Sequence, residues 1–223
     1  MQLREKMEVK ILYDNLSLEG YGRGWGFSCL ITTPETKVLF DTGWNGEILL
    51  HNLEVTGVNL DEIDKIVLSH DHWDHTGGIT HIMNKVKAEI YLGKSFSNNL
   101  KNELRSYSNV IEVFKPVKIC ENIYSTGELG ENIKEQSLLL KTHKGLVIVT
   151  GCAHPGLDVI IESSKTFGEI YSIIGGFHDN QNLKLLSDIA FIVPCHCTVK
   201  KEEILRKYPQ SSHECKVGSI FKF

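Results

Sequence analysis

Residues 69–78 read SHDHWDHTGG: Ser69, His70, Asp71, His72, Trp73, Asp74, His75, Thr76, Gly77, Gly78. Three imidazoles and two carboxylates within six consecutive positions are ligands suited to a borderline metal ion such as zinc. Ahead of them the β-branched run 65–69 (KIVLS) reads as a buried strand, and behind them the Gly77-Gly78 pair opens a helix. The cluster therefore belongs on a strand-to-helix loop at the carboxyl edge of a sheet, where α/β proteins commonly place their sites. In an extended segment His70 and His72 point to one side, whereas Asp74 and His75, past the bend, address a second point. One short loop can thus offer ligands to two ions.

The rest of the chain is consistent with an enzyme core. Its 223 residues, 41% of them hydrophobic, suffice for one domain spanning residues 1–223. A net charge of −4 gives no basic surplus for a phosphate backbone, so nucleic acid is not the expected partner; a small molecule is. The opening MQLREKMEVK mixes charged with apolar residues and lacks the core of a signal peptide, and no 18-residue apolar run follows, so a soluble, cytoplasmic protein without membrane contact is expected. The six cysteines (Cys29, Cys120, Cys152, Cys195, Cys197, Cys215) are scattered without a Cys-x-x-Cys pair, and reduced thiols are expected.

Short apolar runs bounded by Gly, Asn, Asp or Pro mark eleven strands: MEVKIL, SCLITT, KVLFD, KIVLS, AEIYL, NVIEVF, IYST, SLLLKT, LVIVT, EIYSII and FIVPC. Three- and four-residue apolar spacing marks helices at 46–55, 78–87, 95–106, 157–167 and 199–207. Hairpin-like strands followed by strand–helix units, once in each half, indicate an α/β (α+β) layered protein with helices covering sheets.

Two histidines do not close a metal site, so further ligands must come from downstream. Three histidines share one context, a strand, small residues, then His: His154 in TGCAHPG, His178 in IIGGFHD and His196 in VPCHCT. His178 is a candidate for either a metal or a substrate-side role. His51, His81, His143 and His213 fall on helices or polar turns and read as solvated. The segment 19–27 (EGYGRGWGF) reads either as an ordinary hairpin loop or as a flexible loop able to fold over substrate, in which case Arg23 is a candidate for an anionic group.

HDHWDH resembles the His-x-His-x-Asp-His signature of the metallo-β-lactamase superfamily, and LFDTG, TGCAHPG, GGFH and PCHCT resemble further motifs of one branch, usually labelled by similarity to 7,8-dihydropterin-6-methyl-4-(β-D-ribofuranosyl)aminobenzene-5′-phosphate synthase. The resemblance runs from about Phe27 to Thr198. It implies an αβ/βα four-layer sandwich with a metal site along one sheet edge. It further implies one or two Zn²⁺ ions, with iron or manganese as alternatives: His70, His72 and His154 on the first, Asp74, His75 and His196 on the second, and Asp41 of LFDTG orienting a ligand histidine from beneath the loop.

The chain departs from the pattern twice. Where many members carry Thr-Gly-Asp with a bridging aspartate, it reads Thr150-Gly151-Cys152; where they carry Thr-Pro-Gly-His, it reads Ser125-Thr126-Gly127-Glu128. The third histidine is then His154, from a different turn, and the bridge is either absent or made by Cys152 or His178; Cys152 as a small buried residue is the plain alternative. A metal ion lowers the pKa of its coordinated water to about 7 and supplies hydroxide as nucleophile, with Asp74 to orient that water or accept its proton. The expected function is a metal-dependent hydrolase of a small ester, lactone, thioester or phosphoester. The rivals are a pterin/ribosyl-phosphate synthase-like enzyme, a nuclease, an oxygen-reducing diiron protein, whose pattern places Glu where His72 stands, and a non-enzymatic binding protein that keeps the metal site.

Overall fold

The computed structural model describes residues 7–223. Among the described residues thirteen strands, β1 to β13, and six α-helices, α1 to α6, are numbered in chain order. They build two compact units, one from the described residues up to Val113 together with Lys216–Phe223, the other from Phe114–Cys215. Among the described residues no helix is long and apolar enough to cross a membrane.

The first unit is a seven-stranded sheet. Its strands are β1 (Glu8–Tyr13), β2 (Ser28–Thr32), β3 (Lys37–Phe40), β4 (Lys65–Val67), β5 (Glu89–Gly93), β6 (Val110–Val113) and the C-terminal β13 (Ile220–Lys222), in the order β13-β1-β2-β3-β4-β5-β6. From β13 to β3 the pairing is antiparallel; from β3 to β6 it is parallel. Helix α1 (Gly46–Val55) starts at Asn45, whose Oδ1 accepts from the Glu47 and Ile48 amides, as a good N-cap does. It buries Leu49 and Leu53 in a core with Leu12, Leu30, Leu39, Ile66 and Ile90. Burying aliphatic side chains of this size contributes about 1.5–3 kcal/mol each, which makes this core the main source of the unit's stability.

The second unit is a six-stranded sheet of β7 (Val117–Cys120), β8 (Ile123–Ser125), β9 (Leu138–Thr142), β10 (Gly145–Thr150), β11 (Ile170–Gly176) and β12 (Phe191–Cys195), ordered β12-β11-β10-β9-β8-β7. Strands β7 to β10 pair antiparallel and β10 to β12 parallel. Helix α5 (Leu157–Ser164) crosses between β10 and β11, buries Leu157 and Ile160, and packs with Leu146, Ile148, Ile173 and Ile192. Both units thus run from antiparallel strands into parallel ones, and the motif residues follow the carboxyl ends of the parallel strands: Asp41 after β3, His70 after β4, His154 after β10, His178 after β11 and His196 after β12.

All eleven strands expected from the sequence are present. The structure adds β7, from VKIC, and β13, from IFK, whose burial is too mixed to carry an apolar pattern. The helices differ more. The expected helix at 78–87 is the single turn α3 (Ile79–Ile82), because the backbone turns after Ile82 to deliver Val86 to the core and Glu89 to β5. A turn of helix, α2 (Trp73–Thr76), instead forms inside the metal-like cluster. Helix α4 (Asn98–Arg105) begins at its cap Ser97, α5 tightens into a 3₁₀ turn at Lys165–Phe167, and α6 (Lys201–Lys207) starts two residues late. The Gly77-Gly78 pair does more than open a helix: a Cβ on Gly77 would stand 2.2 Å from the Trp44 carbonyl oxygen, and one on Gly78 2.2 Å from that of Thr42.

The segment 19–27 is tied down. Asn52, buried on α1, donates to the Leu12 and Gly22 carbonyls and accepts from the Gly22 amide, and the Phe27 amide donates to Asp74 O. Because Gly78 meets backbone rather than a flexible side chain, Gly78→Ala is expected to destabilise the protein by about 2–3 kcal/mol in urea unfolding. A loss below about 0.5 kcal/mol would show that the crossing can relax.

Candidate metal centre

In the first unit the cluster is organised from below by Asp41. This residue is fully buried just past β3 and adopts a left-handed backbone, φ 57°. Its Oδ1 accepts from the Ser69 amide at 2.7 Å, and its Oδ2 accepts from Ser69 Oγ at 2.7 Å and from His75 Nδ1 at 2.7 Å. A carboxylate only accepts, so the His75 proton sits on Nδ1 and Nε2 keeps a lone pair. Since the Ser69 hydroxyl spends its proton on Asp41, its oxygen accepts from His70 Nδ1 at 2.9 Å, and His70 Nε2 likewise keeps a lone pair. One carboxylate thereby sets the tautomer of two histidines.

His70 Nε2 lies 3.1 Å from His72 Nδ1, and His75 Nε2 lies 3.9 Å from Asp74 Oδ2. Two nitrogens bound at 2.0–2.1 Å to one tetrahedral zinc stand about 3.3 Å apart, so the His70–His72 pair has the spacing of two ligands of one ion. The donor set fits the metal that the sequence implies: three imidazoles and a carboxylate, with two of the rings fixed as proton-free Nε2 donors. Asp71 is exposed and its carboxylate turns to the Ser97 amide.

In the second unit a buried carboxylate does comparable work. Glu135 Oε1 accepts from Thr150 Oγ1 and from the amides of Gly151, Cys152 and Ala153, all at 2.9–3.0 Å, and Oε2 accepts from the His154 amide at 2.9 Å. This collection of donors shapes the turn that presents Cys152 and His154. The His154 and His178 rings stand 4.8 Å apart beside a cavity of about 380 Å³ lined also by Leu157, Asp158, Phe177 and Asn180, with no lysine or arginine in its wall. His196 is buried just past β12.

Cys152 Sγ lies 3.1 Å from Cys197 Sγ. The hydrogen bond shared with Cys152, the neighbouring His196 and hydrogen bonds with His178 draw the Cys197 thiol down to about 6, against the opposing effect of burial. Of the five non-glycine residues with positive φ among those described, four are Asp41, Ala153, His178 and His196, so backbone strain concentrates at the motif turns.

Sequence reasoning missed Ser69, Glu135 and Cys197. Ser69 could have been found from its place between strand and His70. Glu135 has no local signal, since its partners lie 15–19 residues downstream. Arg23 is exposed on the tied-down 19–27 segment.

Asp41→Asn no longer forces the Nδ1–H tautomer and is expected to weaken zinc binding about 10–100-fold in chelator competition; equal affinity would remove Asp41 from the site. Glu135→Ala leaves four buried donors and the part-buried His154 amide without their acceptor and is expected to cost about 3 kcal/mol or more in urea unfolding. A cost under about 1 kcal/mol would mean the turn holds without it.

The sequence is 27% identical to the 7,8-dihydropterin-6-methyl-4-(β-D-ribofuranosyl)-aminobenzene-5′-phosphate synthase of Methanocaldococcus jannaschii over 84% of each chain. It is 28% identical to an uncharacterized protein of the same organism, over 85% of this chain and 90% of that one. Among solved structures, a metal-dependent hydrolase of the β-lactamase superfamily superposes with a TM-score of 0.80 at 25% identity, covering 97% of this chain and 99% of the other. With the profile of the metallo-β-lactamase superfamily matching residues 22–165, the chain belongs to that superfamily and has its αβ/βα sandwich fold.

Proposed function

We propose that the protein is a metal-dependent hydrolase of a small ester, lactone, thioester or phosphoester. The observation that carries the reading is the Asp41 network, which holds His70 and His75 as proton-free donors beside His72 and Asp74. The ligands we propose are His70, His72, Asp74 and His75 of the first unit and His154 and His196 of the second, with Cys152 and His178 as the candidates for any bridging or substrate-side contact.

Zinc, when bound, supplies a Lewis acid and lowers the pKa of coordinated water from 15.7 to about 7. The remaining work falls to the chain. Asp41 orients His75 directly and His70 through Ser69. Asp74 accepts the proton of the attacking water on its carboxylate and passes it to the leaving group. Glu135 fixes the turn bearing His154. Arg23, exposed two residues from Trp25, supplies a guanidinium for an anionic substituent, while the cavity beside His154 and His178, walled by Asp158, Asp179 and Asn180, suits an uncharged hydrogen-bonding group.

A synthase role is the second reading, and the methanogen relative favours it. The experiment that separates the two is turnover of a p-nitrophenyl phosphodiester, a lactone and a thioester by the zinc-loaded protein, before and after chelation. The hydrolase reading expects turnover of at least one, lost on chelation and restored by zinc. It also expects His72→Ala to lose zinc and activity together. Full zinc content in that variant, or turnover indifferent to chelation, would overturn the ligand assignment; no turnover with binding of a pterin would favour the synthase.

A further inference from the structure

The chain has three tryptophans, and none is in a core. Trp25, Trp44 and Trp73 are 57%, 57% and 71% exposed. A single exposed aromatic residue is ordinary; three that converge are not. They converge at Gly26, in the first unit. Gly26 has φ 138°, and a Cβ there would stand 2.4 Å from Asp74 O and 3.0 Å from Trp44 N. Trp25 is the residue before Gly26, Trp73 the residue before Asp74, and Trp44 is itself the second neighbour.

Backbone hydrogen bonds lock this crossing: Phe27 N to Asp74 O at 3.1 Å, Gly43 N to Phe27 O at 3.0 Å, Gly78 N to Gly43 O at 3.1 Å and Thr42 N to His75 O at 2.7 Å. Three different loops are therefore held so that their backbones at Trp25, Trp44 and Trp73 meet at one crossing on the His70–His75 loop, and each of the three indoles is exposed. Folding gains little from indoles left in water, since an indole contributes to stability chiefly by burying its 150–250 Å² of largely apolar surface (about that range).

We propose that Trp25, Trp44 and Trp73 form a substrate-binding face that takes a planar aromatic or heteroaromatic ring, placing the bond to be attacked over the His70–Asp74–His75 loop. The proposal rests on reading that loop as the reacting centre and names the substrate class it serves. Indole faces bind flat rings by stacking and exclude water from them, whereas a saturated ring of the same size offers no π-face. Arg23, exposed two residues from Trp25, adds a preference for a ring bearing an anionic substituent.

The test compares phenylphosphonate with cyclohexylphosphonate, two non-hydrolysable probes that share a metal-seeking head and differ in the ring, by calorimetric titration of the zinc-loaded protein. The aromatic probe is expected to bind about tenfold more tightly, the scale of one ring stacked on an exposed indole. Trp73→Ala and Trp44→Ala are expected to remove that preference with zinc content unchanged, and Trp73→Phe to keep most of it. Equal binding of the two probes by the parent protein, or a preference that survives alanine at all three positions, would overturn the aromatic face while leaving the hydrolase reading intact. Binding of neither probe at millimolar concentration would overturn the face and the metal-loop reading together. Equal binding combined with self-association abolished by the alanine variants would assign the tryptophans to a protein interface instead.

Discussion

The Asp41 carboxylate is the interaction on which the candidate centre depends. It is buried, it ends a strand in a strained left-handed turn, and it accepts three hydrogen bonds from Ser69 and His75. Each of these fixes something a metal site needs: the Ser69 amide sets the path of the chain leaving β4, the His75 proton is confined to Nδ1, and the Ser69 hydroxyl relays the same constraint to His70. The imidazoles are preorganised by a proton inventory as much as by packing, and the cost of burying a carboxylate is offset by full hydrogen bonding.

The second unit repeats the solution with different residues. Glu135 gathers five donors from the turn after β10, where the superfamily pattern quoted above would lead one to expect an aspartate in place of Cys152. The acidic function in this turn is supplied from an upstream loop and is turned towards backbone amides. Cys152 is left to pair with Cys197, a contact for which Gly176 leaves room: a Cβ there would lie 2.6 Å from Cys197 Sγ.

Much of this was legible in the sequence because the signals are local. The apolar runs located eleven strands, the His-x-His-x-Asp-His spacing located the histidine loop that Asp41 organises, and the strand–small–His context marked the turns of His154, His178 and His196 after β10, β11 and β12. What escaped depends on distant partners. Glu135 means nothing until the turn 15–19 residues away folds onto it; β13 takes its place from pairing with β1, not from its own pattern; and the helix expected at 78–87 shortens because the core needs Val86 and the sheet needs Glu89. In the sequence the tryptophans stand in three separate stretches, at positions 25, 44 and 73. Their convergence belongs to the close approach at Gly26 and to nothing in the linear sequence.

Superfamily membership fixes the fold, and the reaction has to be argued from the site itself. The central claim, that one buried carboxylate sets the state of two histidines, can be read directly from the tautomers by long-range ¹H–¹⁵N NMR of the metal-free protein above neutral pH. The expected spectrum shows His70 and His75 both protonated at Nδ1 and not at Nε2, with that assignment lost for both in Asp41→Asn. Nε2–H tautomers in the parent protein, or tautomers unchanged by the substitution, would contradict it.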